Sequence, residues 1–161
     1  MATLPARTEA FTVFAQQTDT RLDVPSWRGH AERFFGGTVE DHALTSLEID
    51  PEGSREARIV FSDRTCPPCT RRVFVRLRTD DDLEAAVAAE RSGDGGAGLS
   101  TLAKRCGVVI LVVTEAAPDP DALFLSAVIA GVALGPILTP GQDHLWGVNT
   151  ARRKLDEMRR A

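Results

Sequence analysis

The sequence has little lysine, little cysteine and no complete catalytic signature. Lysine occurs only at Lys104 and Lys154, so arginine carries nearly all of the positive charge. That usage reads as compositional bias, although arginine is also the better residue for gripping carboxylates and phosphates. Three cysteines are too few and too odd in number for a disulfide framework. Met1-Ala2-Thr3-Leu4-Pro5-Ala6-Arg7 is not a basic start leading into a long apolar run, so no secretory signal is read there and a reducing cytoplasmic setting is expected. The longest uncharged stretch, Ala122 to Leu138, is broken by Gly135-Pro136 and preceded by Asp119 and Asp121. It reads as a buried core helix rather than a membrane span. There is no G-x-S-x-G elbow and no Walker-type phosphate loop. His30, His42 and His144 show no metal-ligand spacing. Gly93-Asp94-Gly95-Gly96-Ala97-Gly98 matches G-x-G-x-x-G only in form, because it follows a helical pattern instead of a strand, and it reads as a flexible loop.

What is present is an ordinary globular composition. The 161 residues are 43% hydrophobic and 26% charged, enough for one domain with a proper core. A net charge of −4 and a pI near 5.4 speak against general nucleic-acid affinity. The expectation is a single α+β domain over residues 1–161, with residues 1–10 loose, 92–98 a glycine-rich loop, and a mainly antiparallel sheet covered by helices. Phe11 to Ala15 is a short apolar run that fits either a strand or a helical turn. Trp27, Ala31, Phe34 and Phe35 define one face of a helix that Gly36-Gly37 ends. Ala43 to Asp50, Glu56 to Phe61 and Arg72 to Thr79 make a three-strand meander. In the last two of these, Ala57, Ile59 and Phe61 alternate with Glu56, Arg58 and Val60, and Val73, Val75 and Leu77 with Arg72, Phe74, Arg76 and Arg78. Thr79 or Asp80 caps a helix to Arg91, and a short helix runs from Leu99 to Cys106. Val108 to Val113 is a doubly covered central strand. Asp119-Pro120-Asp121 opens the apolar helix to about Leu134. A small hairpin turns around Pro140-Gly141, and a final helix carries Ala151, Leu155 and Met158 on one face.

One stretch looks like chemistry: Arg64-Thr65-Cys66-Pro67-Pro68-Cys69-Thr70, placed as the hairpin loop between the second and third strands of the meander. Two cysteines two residues apart can exchange disulfides, one attacking as thiolate and the other resolving. Cys66-Pro67-Pro68-Cys69 resembles the active-site motif of thioredoxin-like oxidoreductases. That resemblance implies Cys66 as nucleophile and Cys69 as resolving thiol. Thr65 stands where that family carries an aromatic residue, and the period of Arg72 to Thr79 is that of a strand where the family has a helix. A Cys-Pro-x-Cys loop between strands also resembles half of a zinc ribbon or knuckle. Zinc would then be held by Cys66 and Cys69, with Cys106 and one histidine as further candidate ligands. The plainest reading is a rigid turn whose cysteines pack beneath it.

Arg71, Arg72, Arg76 and Arg78 form a basic stretch after the dithiol. The even-numbered three share one strand face, so Arg72, Arg76 and Arg78 are candidate partner-binding residues for an acidic surface or anion. Taken together, the residues favour a non-catalytic cytoplasmic binding protein of adaptor, accessory or immunity type, with a protein partner and no required cofactor. A thiol–disulfide oxidoreductase and a zinc-binding protein are the alternatives.

Overall fold

The computed structural model describes residues 4–41, 47–48, 53–64, 66–93 and 98–160. After a single 3-10 turn at Arg7–Glu9, the first half of the chain forms β1 (Ala10–Ala15), α1 (Val24–Phe34), β2 (Thr38–Asp41), β3 (Leu47–Glu48), β4 (Arg55–Asp63) and β5 (Cys66–Leu77). The second half forms α2 (Asp80–Ser92), α3 (Leu99–Lys104), β6 (Val108–Val113), α4 (Pro120–Ala133), β7 (Ile137–Leu138), β8 (Leu145–Trp146) and α5 (Val148–Arg160). The strands make one sheet in the order β2-β4-β5-β6-β1-β7-β8, with β3 beside β2 on the outer edge of β4. Every pairing is antiparallel. The ambiguous run at Phe11 is therefore a strand, and an interior one, lying between β6 and β7.

Strand alternation divides the side chains into two layers. Phe11, Val13, Ala57, Ile59, Phe61, Val73, Val75, Val108, Ile110 and Val112 face α1, α4 and α5 and make the main core. α4 crosses this face and is buried on nearly every side, which its sequence, apolar from Ala122 to Ala133 except for Ser126, allows. The Asp119 carboxylate accepts from the Ala122 N–H at 3.1 Å, and Pro120 supplies a first-turn residue that needs no N–H partner. Leu134 ends the helix in the left-handed region (φ 58°), and the chain turns into β7. Among the described residues no helix is long and apolar enough to cross a membrane.

The opposite face is covered unevenly. Under α2 and α3, Phe14, Val109, Leu138 and Leu145 pack with Ala86, Ala89, Ala103 and Cys106. Leu4 lies over Phe74 and Leu111. Farther toward the β2 edge, the outward residues Glu40, Arg58 and Arg72 are exposed.

The structure departs from the sequence reading at the hairpin. β5 starts at Cys66, so the Cys-Pro-Pro-Cys segment is the first part of a twelve-residue strand and not the loop before it. The pairing with β4 shifts register between Phe61 and Asp63, the kind of irregularity that lets a sheet accept prolines, which cannot donate to the ladder. β2 is a strand that the sequence reading did not foresee. Of the strand placed at Ala43 to Asp50, only Leu47–Glu48 is described, and it pairs with β4 as the meander requires. His42, Thr65, the turn at Pro51-Glu52 and residues 94–97 lie outside the described residues.

Candidate functional site

The backbone of the dithiol segment is extended. Cys66 stands opposite Asp63 and Cys69 opposite Phe61 in the β4–β5 ladder. The segment is strand and not the first turn of a helix. It therefore lacks the helix N-terminus whose partial positive charge lowers the pKa of a catalytic thiol. Cys69 is half-buried and packs against the main core. Cys106 sits between α3 and β6 in the layer beneath α2, on the other side of the sheet. The structure therefore does not bring Cys69 and Cys106 together as ligands of one ion. The Cys106 thiol donates to the Leu102 carbonyl at 3.4 Å, and burial pushes its pKa up to about 11. Among the described residues there is no group of three or more His, Cys, Asp or Glu side chains placed to hold a metal.

The four arginines after the dithiol have four different environments. Arg71 points toward the main core side and is 8% exposed. Its Nε and Nη2 donate to the two oxygens of Asp119 at 3.0 and 2.9 Å, while Glu115 lies 2.5 Å and Asp121 3.7 Å away. Burial opposes the charge on Arg71, but the hydrogen bonds and attraction of Asp119, with Glu115 adding to them, raise its pKa. Arg76 grips Asp82 with both terminal nitrogens at 2.6 and 2.8 Å, and Arg7 adds a third contact at 2.9 Å. Asp82 is fully buried. Desolvation works against its carboxylate, yet hydrogen bonds from Arg76, the Thr79 N–H and Arg7 outweigh it and hold the pKa at about 2. Arg78 lies beyond the strand, where its Nε donates to the Cys106 carbonyl at 2.7 Å. Arg72 is exposed, with its Nε 2.8 Å from Glu56 and its guanidinium 5.0 Å over the Phe74 ring. Arg71 and Arg76 thus serve the fold, and Arg72 remains on the open face.

The residue that completes this face is Arg58. It stands directly opposite Arg72 in the β4–β5 register. It is exposed and has no acidic partner among the described residues. Glu40, Val60 and Thr70 continue the same surface across three strands, since Glu40 pairs with Val60 and Val60 with Thr70. The alternation of Glu56, Arg58 and Val60 with Ala57, Ile59 and Phe61 places Arg58 on the outward side from sequence alone. What alternation cannot supply is the pairing register that sets it against Arg72.

The two described histidines, His30 and His144, have separate surroundings. His30 packs against Phe34 at 4.7 Å and Phe35 at 5.7 Å, and burial together with nearby Arg152 lowers its pKa. His144 stacks on Trp146 at 5.8 Å. The chain matches no protein-family model, no curated protein and no solved structure.

Proposed function

We propose that this protein is a non-catalytic binding protein of the cytoplasm, acting as an adaptor, accessory or immunity-type factor. It would meet an acidic segment of a protein partner with the outward face of β2, β4 and β5. The observation that carries this reading is the Arg58–Arg72 pair. Like charges directly opposite each other on neighbouring strands are destabilising. Arg72 is partly balanced by Glu56, and Arg58 makes no ion pair among the described residues. A partner carboxylate placed between the two guanidiniums would accept charge-assisted hydrogen bonds from both, the geometry for which arginine is best suited. Val60 and Thr70 would supply the drier centre of such a contact, and Glu40 its rim. Within the candidate set Arg72, Arg76 and Arg78, the engagement of Arg76 with Asp82 and of Arg78 with Cys106 leaves Arg72, joined by Arg58, to carry recognition.

The test is affinity capture with the full chain against the Arg58→Glu variant. The expected result is a defined acidic partner held by the native chain and lost by the variant. An identical set of captured proteins for both chains would overturn the reading.

A further inference from the structure

Where β6 gives way to α4, residues 114–119 meet the β7–β8 hairpin and the last turns of α5 around a cavity of about 250 Å3. Phe11, Ala116, Pro118, Pro140, Trp146 and Met158 make its wall largely apolar. Two polar wall groups are already engaged. Asp119 accepts from Arg71 and from the N–H groups of Glu115 and Ala122, and the Thr139 hydroxyl is bonded to Asp143. The Trp146 indole is different. The residue is 6% exposed, and its Nε1–H is buried with no acceptor among the described residues. A buried donor without an acceptor is unfavourable, and native structures leave few such groups unpaired. The indole also presents a flat stacked pair with His144, the rings 21° from parallel.

Charge around the cavity narrows the ligand. Asp119 lines it, Glu115 and Asp121 stand next to Asp119 around Arg71, and Asp143 lies 3.6 Å from His144. This acidic setting disfavours an anion. We propose that the cavity binds a small, flat, uncharged molecule through one acceptor atom, a ketone oxygen or a ring nitrogen, that takes the Trp146 Nε1–H. Such a mixture of apolar wall and one oriented polar group is typical of small-molecule sites. The cavity lies on the helix-covered side of the sheet, away from Arg58 and Arg72, so it stands or falls independently of the partner-binding face.

The experiment compares 1-indanone, a bicyclic ketone, with indane, which has the same shape and no acceptor. Both are titrated into the full chain while the two indole N–H resonances are followed, Trp146→Phe identifying the Trp146 signal. A saturable shift of the Trp146 resonance with the Trp27 resonance unmoved is expected, together with affinity for 1-indanone about fivefold above that for indane. Trp146→Phe should abolish that preference. Ala116→Leu, at an exposed wall position, should weaken both probes without disturbing the core. No saturable shift at the solubility limit would overturn the proposal. Equal affinity for the two probes, a preference that survives Trp146→Phe, or unchanged binding in Ala116→Leu would each do so as well.

Discussion

At the residue scale the chain is held by buried ion pairs that its sequence conceals. Three aspartates in a row, Asp80, Asp81 and Asp82, read simply as a negative N-terminal turn that suits the helix dipole. Only Asp82 is buried, because Arg76 on the preceding strand and Arg7, 75 positions away, converge on it. Its pKa of about 2 lies below the ordinary 3.8, so its stabilisation is fully present above about pH 4 and disappears as pH falls through 2. The difference corresponds to about 2 kcal/mol. Urea unfolding at pH 7, 4 and 2 should show that loss in the native chain and a flatter acid limb in Asp82→Asn, which should also be less stable at pH 7. Arg71→Met should cost about 3 kcal/mol at pH 7, since it leaves buried Asp119 without its main counter-charge. Reading Arg71 simply as one more member of the basic stretch misses its burial for the same reason. Odd positions on β5 face the core, and only the fold brings Asp119 beneath one of them.

At the element scale the sequence is more legible, because caps and breakers act locally. Thr79 and Asp82 form the reciprocal capping box that the Thr79-Asp80-Asp81-Asp82 run allows. Asp119-Pro120 starts α4, and Gly36, at φ 64°, takes the left-handed position after α1. The Cys66 boundary was not legible, because two prolines signal a turn and only the register shift opposite them makes a strand acceptable. β2 escaped for another reason: Thr38-Val39-Glu40-Asp41 has one buried residue, Val39, too few for a period to show. The end of α4 offers a sharp local test. Leu134 is 63% exposed at a left-handed φ, so Leu134→Gly gives up little burial and relieves the backbone. It should stabilise the protein by about 0.5–1 kcal/mol. One residue later the sign reverses. A Cβ on Gly135 would stand 1.8 Å from the Phe14 carbonyl oxygen of β1, so Gly135→Ala should destabilise by more than about 3 kcal/mol. Thermal denaturation of the two variants side by side checks both, and two shifts of the same sign would refute the account.

At the scale of the whole molecule, the sheet has one face closed by α1, α4 and α5 and another closed only in part. Alternation told which residues point inward on β4 and β5, and it told the fold class. It could not tell that α2 and α3 would settle over β1 and β6 and leave the β2–β4–β5 end bare, because helix placement depends on contacts such as Ala86 and Ala103 with Phe14 and Val109. That asymmetry makes folding and recognition separable. Arg58 is exposed and opposes a like charge, so Arg58→Glu turns a repulsive cross-strand pair into an attractive one beside Arg72. Stability should rise by roughly 0.5 kcal/mol, within the range of cross-strand pairs. Affinity for an acidic partner should fall at the same time, because one of two converging guanidiniums becomes a carboxylate. A structural role for Arg58 would move both quantities down together. Denaturant midpoints measured alongside partner affinity distinguish the two cases, and a variant that loses stability and binding in proportion would show that this face serves the fold instead of a partner.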